Sequence, residues 1–255
     1  MSLSARFEDL KDQSVFITGG GSGIGAALTE AFLRQGAKVA FCQRSDATGF
    51  CDAMQQSTGN RPLFLPCDIS VTDQLQLTLA TAAKAHGPIT VLVNNAANDQ
   101  RHETLATDQT FWDWSINVNL RSYFFACQAV IPGMKAAGGG SIINFSSISF
   151  MMADTGYAAY ITANAGIVGL TRTLAREFGP DHIRVNAVAP GWVLTERQKE
   201  HWVTPEGLAA HLSRQCLPDP IQPEDVAGTV LFLASGASKM MTSQTLILDG
   251  GYISS

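Results

Sequence analysis

Ser14-Val15-Phe16-Ile17-Thr18-Gly19-Gly20-Gly21-Ser22-Gly23-Ile24-Gly25 is the stretch that decides the fold. An apolar run of strand length breaks into a cluster of glycines. After it, Ile24, Leu28, Phe32 and Leu33 recur at helical spacing from Gly23 to Gln35, and Gly36 ends the pattern. Glycine clusters alone are common in turns and linkers. Between a first strand and a first helix they have a sharper meaning. The missing Cβ atoms let the backbone turn tightly and approach a pyrophosphate, and the helix N-terminus offers unpaired N–H groups and a favourable dipole.

The rest of the chain repeats the strand-then-helix rhythm. Lys38–Cys42, Leu63–Leu65, Ile89–Val93, Ser141–Phe145, Ile183–Val188 and Leu246–Leu248 read as six further strands, and Gly138-Gly139-Gly140 leads into the fifth. Helical patterns lie near 72–86, 107–135, 157–178 and 223–235. The strands are almost wholly apolar, as they are when both sheet faces are covered. This alternation predicts an α/β fold with a parallel sheet and helices on both sides. No repeat or low-complexity linker interrupts it, so residues 1–255 read as one domain. Residues 191–222 differ: Pro205, Gly207, Pro218, Pro220 and Pro223 punctuate a segment that follows a strand end, which predicts a lid of short helices over a site.

Composition narrows the function. With 255 residues, 45% hydrophobic and 15% charged, the chain has enough apolar mass for a large core. A net charge of −5 with no basic cluster argues against nucleic acid. No apolar run is long enough to span a bilayer. The start, Met1 to Gln13, is polar and has no signal-like core, so a cytoplasmic location is expected. Cys42, Cys51, Cys67, Cys127 and Cys216 are scattered without a C-x-x-C pair, and read as reduced core thiols. No His-rich ligand spacing is present, so no metal is expected. The sequon Asn144-Phe145-Ser146 lies in an expected buried strand and reads as chance.

The spacing T-G-x-x-x-G-x-G over Thr18–Gly25 resembles the short-chain dehydrogenase/reductase family. Other segments carry the resemblance over nearly the whole chain. They are Asn94-Asn95-Ala96-Ala97 after the fourth strand (Ala97 replacing the usual glycine), Asn119 in Ile116–Leu120, Ser147 after the fifth strand, Tyr160, Pro190-Gly191, and Asp249-Gly250-Gly251. The resemblance implies a Rossmann fold with strand order 3-2-1-4-5-6-7 and a nicotinamide cofactor. It assigns cofactor contacts to Gly19, Ser22, Gly23, Ile24, Gly25, Gln43, Arg44, Asp68, Ile69, Asn95, Ala96, Tyr160, Asn164, Pro190, Gly191, Val193 and Thr195. Members that prefer NAD usually carry Asp where Gln43 stands. A neutral Gln43 followed by Arg44, whose guanidinium can pair with a 2′-phosphate, favours NADP over NAD. Arg44 as a solvated surface charge, or stacked on adenine, is the other reading.

The resemblance also implies the catalytic set: Ser147 to hold the substrate oxygen, Tyr160 as general acid/base, and Asn119 to help hold a proton-relay water. The fourth member is usually a lysine four residues after the tyrosine, on the same helix face. Here that position is Asn164, and no lysine occurs between Lys135 and Lys199. Tyr157 does not restore the pattern, because Ile161 follows it at that spacing. Asn164 can bond a ribose hydroxyl but carries no charge to stabilise a phenolate. Three readings stand open: a natural enzyme that is slow at neutral pH, a disabled variant, and a cofactor-binding subunit without turnover.

Several stretches resemble bacterial D-xylose and related aldose 1-dehydrogenases. They include Asn98–His102, Ile116–Arg121, Asn144–Ser149, Thr195–Gln198, Thr204–Gly207 and Gln215–Leu217. This implies a small-molecule sugar substrate whose anomeric hydroxyl is oxidised to a lactone. Asn98, Arg101, Ser147, Ser149, Tyr160 and Trp192 are the expected substrate residues, offering hydrogen bonds and a stacking face. Arg101 and His102 have a second reading, as a pairing that stabilises their loop. Reduction of a ketone or 3-oxoacyl group is the alternative activity. Homotetramer assembly through the long helices and the last strand is implied by the resemblance alone.

Overall fold

The computed structural model describes residues 5–152 and 154–253; Met1–Ser4, the beginning of the polar leader, lie outside them. Seven strands form one sheet: β1 Ser14–Thr18, β2 Lys38–Gln43, β3 Leu63–Pro66, β4 Val91–Asn94, β5 Gly140–Phe145, β6 Ile183–Pro190 and β7 Thr245–Leu248. Every pairing is parallel and the order is 3-2-1-4-5-6-7, the Rossmann arrangement that was expected. The helices are α1 Gly23–Arg34, α2 Thr48–Thr58, α3 Thr72–His86, α4 Gln109–Ile116, α5 Ser122–Ala136, α6 Ser149–Met152, α7 Ala158–Phe178, α8 Glu196–His201, α9 Pro205–Leu212 and α10 Pro223–Ala234.

Side-chain alternation along the strands feeds two cores. Val15 and Ile17 of β1 pack with Leu28 and Phe32 of α1 and Val226 and Val230 of α10. Phe16, between them, turns to the other face and packs with Leu75 and Leu79 of α3, Val130 and Met134 of α5, and Leu174 of α7. Each fully buried large side chain contributes about 1.5–3 kcal/mol, so both layers are held firmly. Cys42, Cys51, Cys67 and Cys127 are free thiols in these cores, whereas Cys216 is exposed, contrary to a purely internal reading of the five.

Three features depart from the sequence reading. β4 starts at Val91 rather than Ile89, because the ladder to β1 begins opposite Val15. α2 was not anticipated: it buries only Cys51 and Met54 and so has little apolar periodicity to read. The helical stretch over 107–135 is α4 and α5 joined by a π-helical turn over Asn117–Arg121, and Asn119 lies in that turn. Single π turns inside longer helices often accompany functional sites.

Candidate active site

The glycine turn between β1 and α1 forms one wall of the site. Gly19 sits at φ +71°, a left-handed conformation that suits glycine. A Cβ on Gly25 would lie 1.8 Å from the Gly19 carbonyl oxygen, so the turn closes only around a glycine there. Thr18 and Asn95 clamp the turn to β4. The Thr18 hydroxyl accepts the N–H groups of Asn95 and Ala96, both at 3.0 Å, and the Asn95 amide donates to the carbonyls of Thr18 and Gly19 at 3.0 and 3.2 Å. Ser22, preceding α1, makes no side-chain capping bond, so the first-turn N–H groups keep their capacity for an anion.

Two adjoining cavities open along the carboxyl ends of the strands. The larger, about 760 Å³, is lined by Gly19, Ser22, Ile24, Gly25, Gln43, Arg44, Asp68, Ile69, Asn95, Ala96, Asn98, Tyr160 and Thr195 among others. The second, about 490 Å³ and within the usual range for small-molecule sites, is lined by Ser147, Ser149, Tyr160, Asn164, Arg101, Asn119, Pro190, Gly191, Trp192, Val193 and Thr195. Tyr160, Asn95 and Asp99 border both. Gly23 borders neither; its φ is +51° and a Cβ would meet Thr195 at 3.1 Å. Asn98, expected at the substrate, faces the larger cavity, and its side chain accepts the Gln100 N–H at 2.9 Å.

Ser147 follows β5. Its Oγ accepts the N–H of Ser149 at 3.2 Å, which leaves its hydrogen free to donate into the cavity. Tyr160 lies in the first turn of α7. That helix start is fixed by His102, whose Nε2 accepts the Ala159 N–H at 3.3 Å while its backbone N–H donates to the Gly156 carbonyl at 2.8 Å. His102 thus follows its loop-stabilising reading. Arg101 does something different: its guanidinium lies 3.6 Å over the Tyr157 ring, which stacks at 5.6 Å on Tyr160. Tyr157 donates to Asp154 at 2.8 Å.

Burial, and then the Asp99 carboxylate, push the Tyr160 hydroxyl above the ordinary phenol range. Polar contacts to Ser147 and Asn164, and the Arg101 charge, pull it back in part. Asn164 is buried, and its Nδ2 donates to the Tyr160 carbonyl at 2.9 Å. The Asn119 donors are committed: Oδ1 accepts the Asn98 N–H at 2.7 Å, and Nδ2 donates to Asn98 O, Ser115 O and Ser115 Oγ at 2.9–3.3 Å. Its side chain therefore ties the loop after β4 to the π turn, and has no donor left for a water. Gln43 is likewise engaged at both ends, by Gly21 N–H at 3.1 Å and by Ser45 at 3.1 and 3.3 Å.

The segment after β6 folds over this region through α8 and α9. Asp99 accepts from Arg197 at 3.1 Å and from Gln198 at 2.8 Å, and Trp192 Nε1 donates to Gln198 at 2.9 Å. Below, a buried polar chain links Asn94, Asn144 and Thr171 at 2.9 and 3.0 Å, tying β4, β5 and α7 together. Asn144 is thus an internal brace, in keeping with the sequon being accidental. In the aromatic wall of Trp192, His211 and Tyr252, Trp192 was expected from the sequence, whereas His211 and Tyr252 carried no signal.

A family model described as "Enoyl-(Acyl carrier protein) reductase" matches residues 19–253. A relative from Rhizobium meliloti, "Probable galactose dehydrogenase GalD", is 48% identical over 97% of this chain and 98% of its own. The chain belongs to the short-chain dehydrogenase/reductase family. Another family relative, a D-xylose 1-dehydrogenase of Caulobacter vibrioides, is 46% identical over 98% and 99% of the two chains. The crystal structure of a "putative short-chain alcohol dehydrogenase" from Sinorhizobium meliloti superposes with a TM-score of 0.91 at 29% identity, covering 96% and 98%. The protein is accordingly an oxidoreductase enzyme, and dehydrogenases of this family use a nicotinamide dinucleotide. Among the described residues no helix is long and apolar enough to cross a membrane.

Proposed function

We propose that this enzyme oxidises an aldose at its anomeric hydroxyl to the lactone, with NADP favoured over NAD. One observation carries the reading: Tyr160 stands at the junction of the two cavities with Ser147 beside it, so one hydroxyl pair meets both a dinucleotide and a small substrate. The larger cavity suits the dinucleotide, since its glycine turn closes only without a Cβ at Gly25 and its helix start is uncapped. When bound, the nicotinamide supplies the hydride acceptor. Ser147 donates its free hydrogen to the substrate oxygen, and Tyr160 as phenolate takes the proton of the anomeric hydroxyl as the C1–H bond gives up hydride. Asn164 offers its Oδ1 to a ribose hydroxyl.

Arg44 is exposed and has no carboxylate partner among the described residues, which supports pairing with a 2′-phosphate. Gln43, held at both ends by the protein, supports it further. Around the substrate, Arg101, Ser149 and Trp192 supply polar and aromatic surface, and residues 191–222 act as a lid latched through Asp99. That polar lining favours a polyol over an acyl chain, and the two sugar dehydrogenases among the relatives point the same way. Assembly as a homotetramer would cover Phe124 on α5 and Ile247 on β7, which are 42% and 41% exposed.

The test is steady-state turnover of D-xylose, L-arabinose, D-galactose and D-fucose with each nucleotide. Lactone formation with at least one sugar, at a higher kcat/KM with NADP, is the expected result. Tight nucleotide binding with no turnover of any of them at any pH would replace this reading with a catalytically idle one.

A further inference from the structure

Tyr123 is the fully buried residue that folding leaves least explained. It lies at the start of α5, is 1% exposed, and its hydroxyl has no partner among the described residues. A buried hydroxyl without a partner costs stability, and phenylalanine would fill the same space without that cost. Tyr123 follows Asn119 by four residues, so it shares the face that the π turn presents to α7. It lines the same cavity as Tyr160 and Asn164.

Donors and acceptors at this spot do not balance. Of the two Asn164 Nδ2 hydrogens, one goes to the Tyr160 carbonyl at 2.9 Å and the other faces the Tyr160 hydroxyl, whose pKa this contact lowers, which leaves Oδ1 as the acceptor for a ligand. Asn119 has spent its donor as well. We propose that Tyr123 is a further binding residue, whose hydroxyl donates to a neutral oxygen held beside Asn164 and Tyr160. That oxygen is either a ribose hydroxyl of the nucleotide or a water that the bound nucleotide orders. Asn164 supplies the acceptor and Tyr123 the donor, two residues dividing a task at the end of the nicotinamide pocket. Burial pushes the Tyr123 phenol strongly upward, so it stays a protonated donor throughout the working range. The inference rests on the dinucleotide reading given above.

Tyr123→Phe removes only the hydroxyl. Its melting temperature without nucleotide is expected to equal or exceed that of the wild type, because the lost group had no partner. Loss of one hydrogen bond should weaken NADP binding by about three- to tenfold if the oxygen is the ribose's. If the oxygen is a water, the nucleotide Kd stays unchanged and kcat falls by a similar factor. In an Asn164→Lys background, where the ammonium is itself a donor, the same substitution should change either quantity by less than about twofold. Unchanged Kd and kcat in Tyr123→Phe would overturn the inference. So would equal losses in both backgrounds, or a melting temperature several degrees lower. A wild type that binds neither nucleotide would instead overturn the dinucleotide reading itself, and the inference with it.

Discussion

At residue 164 the chemistry turns on charge. A tyrosine in water ionises near pH 10, and here burial and Asp99 raise Tyr160 further. An ammonium about 4–5 Å away at an effective dielectric near 20 would favour phenolate by roughly 3–4 kcal/mol, or about two to three pH units. The Asn164 amide offers no such field. In the proposed mechanism the phenolate is the base for oxidation, so activity is expected to rise with pH through the Tyr160 pKa. Asn164→Lys is expected to raise turnover at neutral pH and to lower the pH of half-maximal oxidation. Both are read from a steady-state pH series, and an unmoved profile would show that residue 164 does not set the base. Ser147 and Tyr160 were legible from motif position. That Arg101 reaches Tyr160 through a stack on Tyr157 was not, since a 3.6 Å contact across 56 positions has no local signature.

At the scale of elements, the β1–turn–α1 unit tolerates little change. Thr18, Asn95 and the approach of Gly25 to Gly19 hold the turn from two sides. Gly25→Ala places a methyl 1.8 Å from a carbonyl oxygen, and backbone has to move to admit it. Nucleotide binding is expected to fall more than about tenfold, consistent with a loss above about 1.4 kcal/mol, and the melting temperature should drop by several degrees. Titration of nucleotide fluorescence and a thermal melt check the two effects, and retention of wild-type affinity would mean that this turn does not carry the phosphates. The strands and long helices were legible because their apolar spacing is strong. α2 was not, because two buried side chains in eleven residues set no period.

Over the whole molecule, the loop after β4 and the segment after β6 meet only through tertiary structure. Asp99 joins them through Arg197 and Gln198, and the same carboxylate raises the Tyr160 pKa. Asp99→Asn therefore does two things. It weakens a half-exposed latch, a change of about 1 kcal/mol or less, so KM for the sugar should rise by up to about fivefold. It also removes a negative charge facing Tyr160, so the phenol pKa falls and the oxidation profile moves to lower pH. Steady-state kinetics across pH separate the two, and a profile shifted upward would refute the electrostatic assignment.

Hydrophobic period, glycine placement and strand length determined the parallel sheet and the position of the glycine turn, since these depend on backbone dihedrals and on burial patterns along the chain; the strand order came from the family resemblance. The tertiary structure decided which polar groups remain free. Asn119, Gln43 and His102 looked available in sequence and are bonded to Asn98, Gly21 and Ala159, and Asn98 is engaged by nearby Gln100, while Tyr123 lay outside every motif and carries a hydroxyl with no partner among the described residues. Hydrogen-bonding capacity is finite and is consumed by whichever groups folding brings within about 3 Å. No local pattern records that outcome, so the site's donors and acceptors are a property of the folded chain.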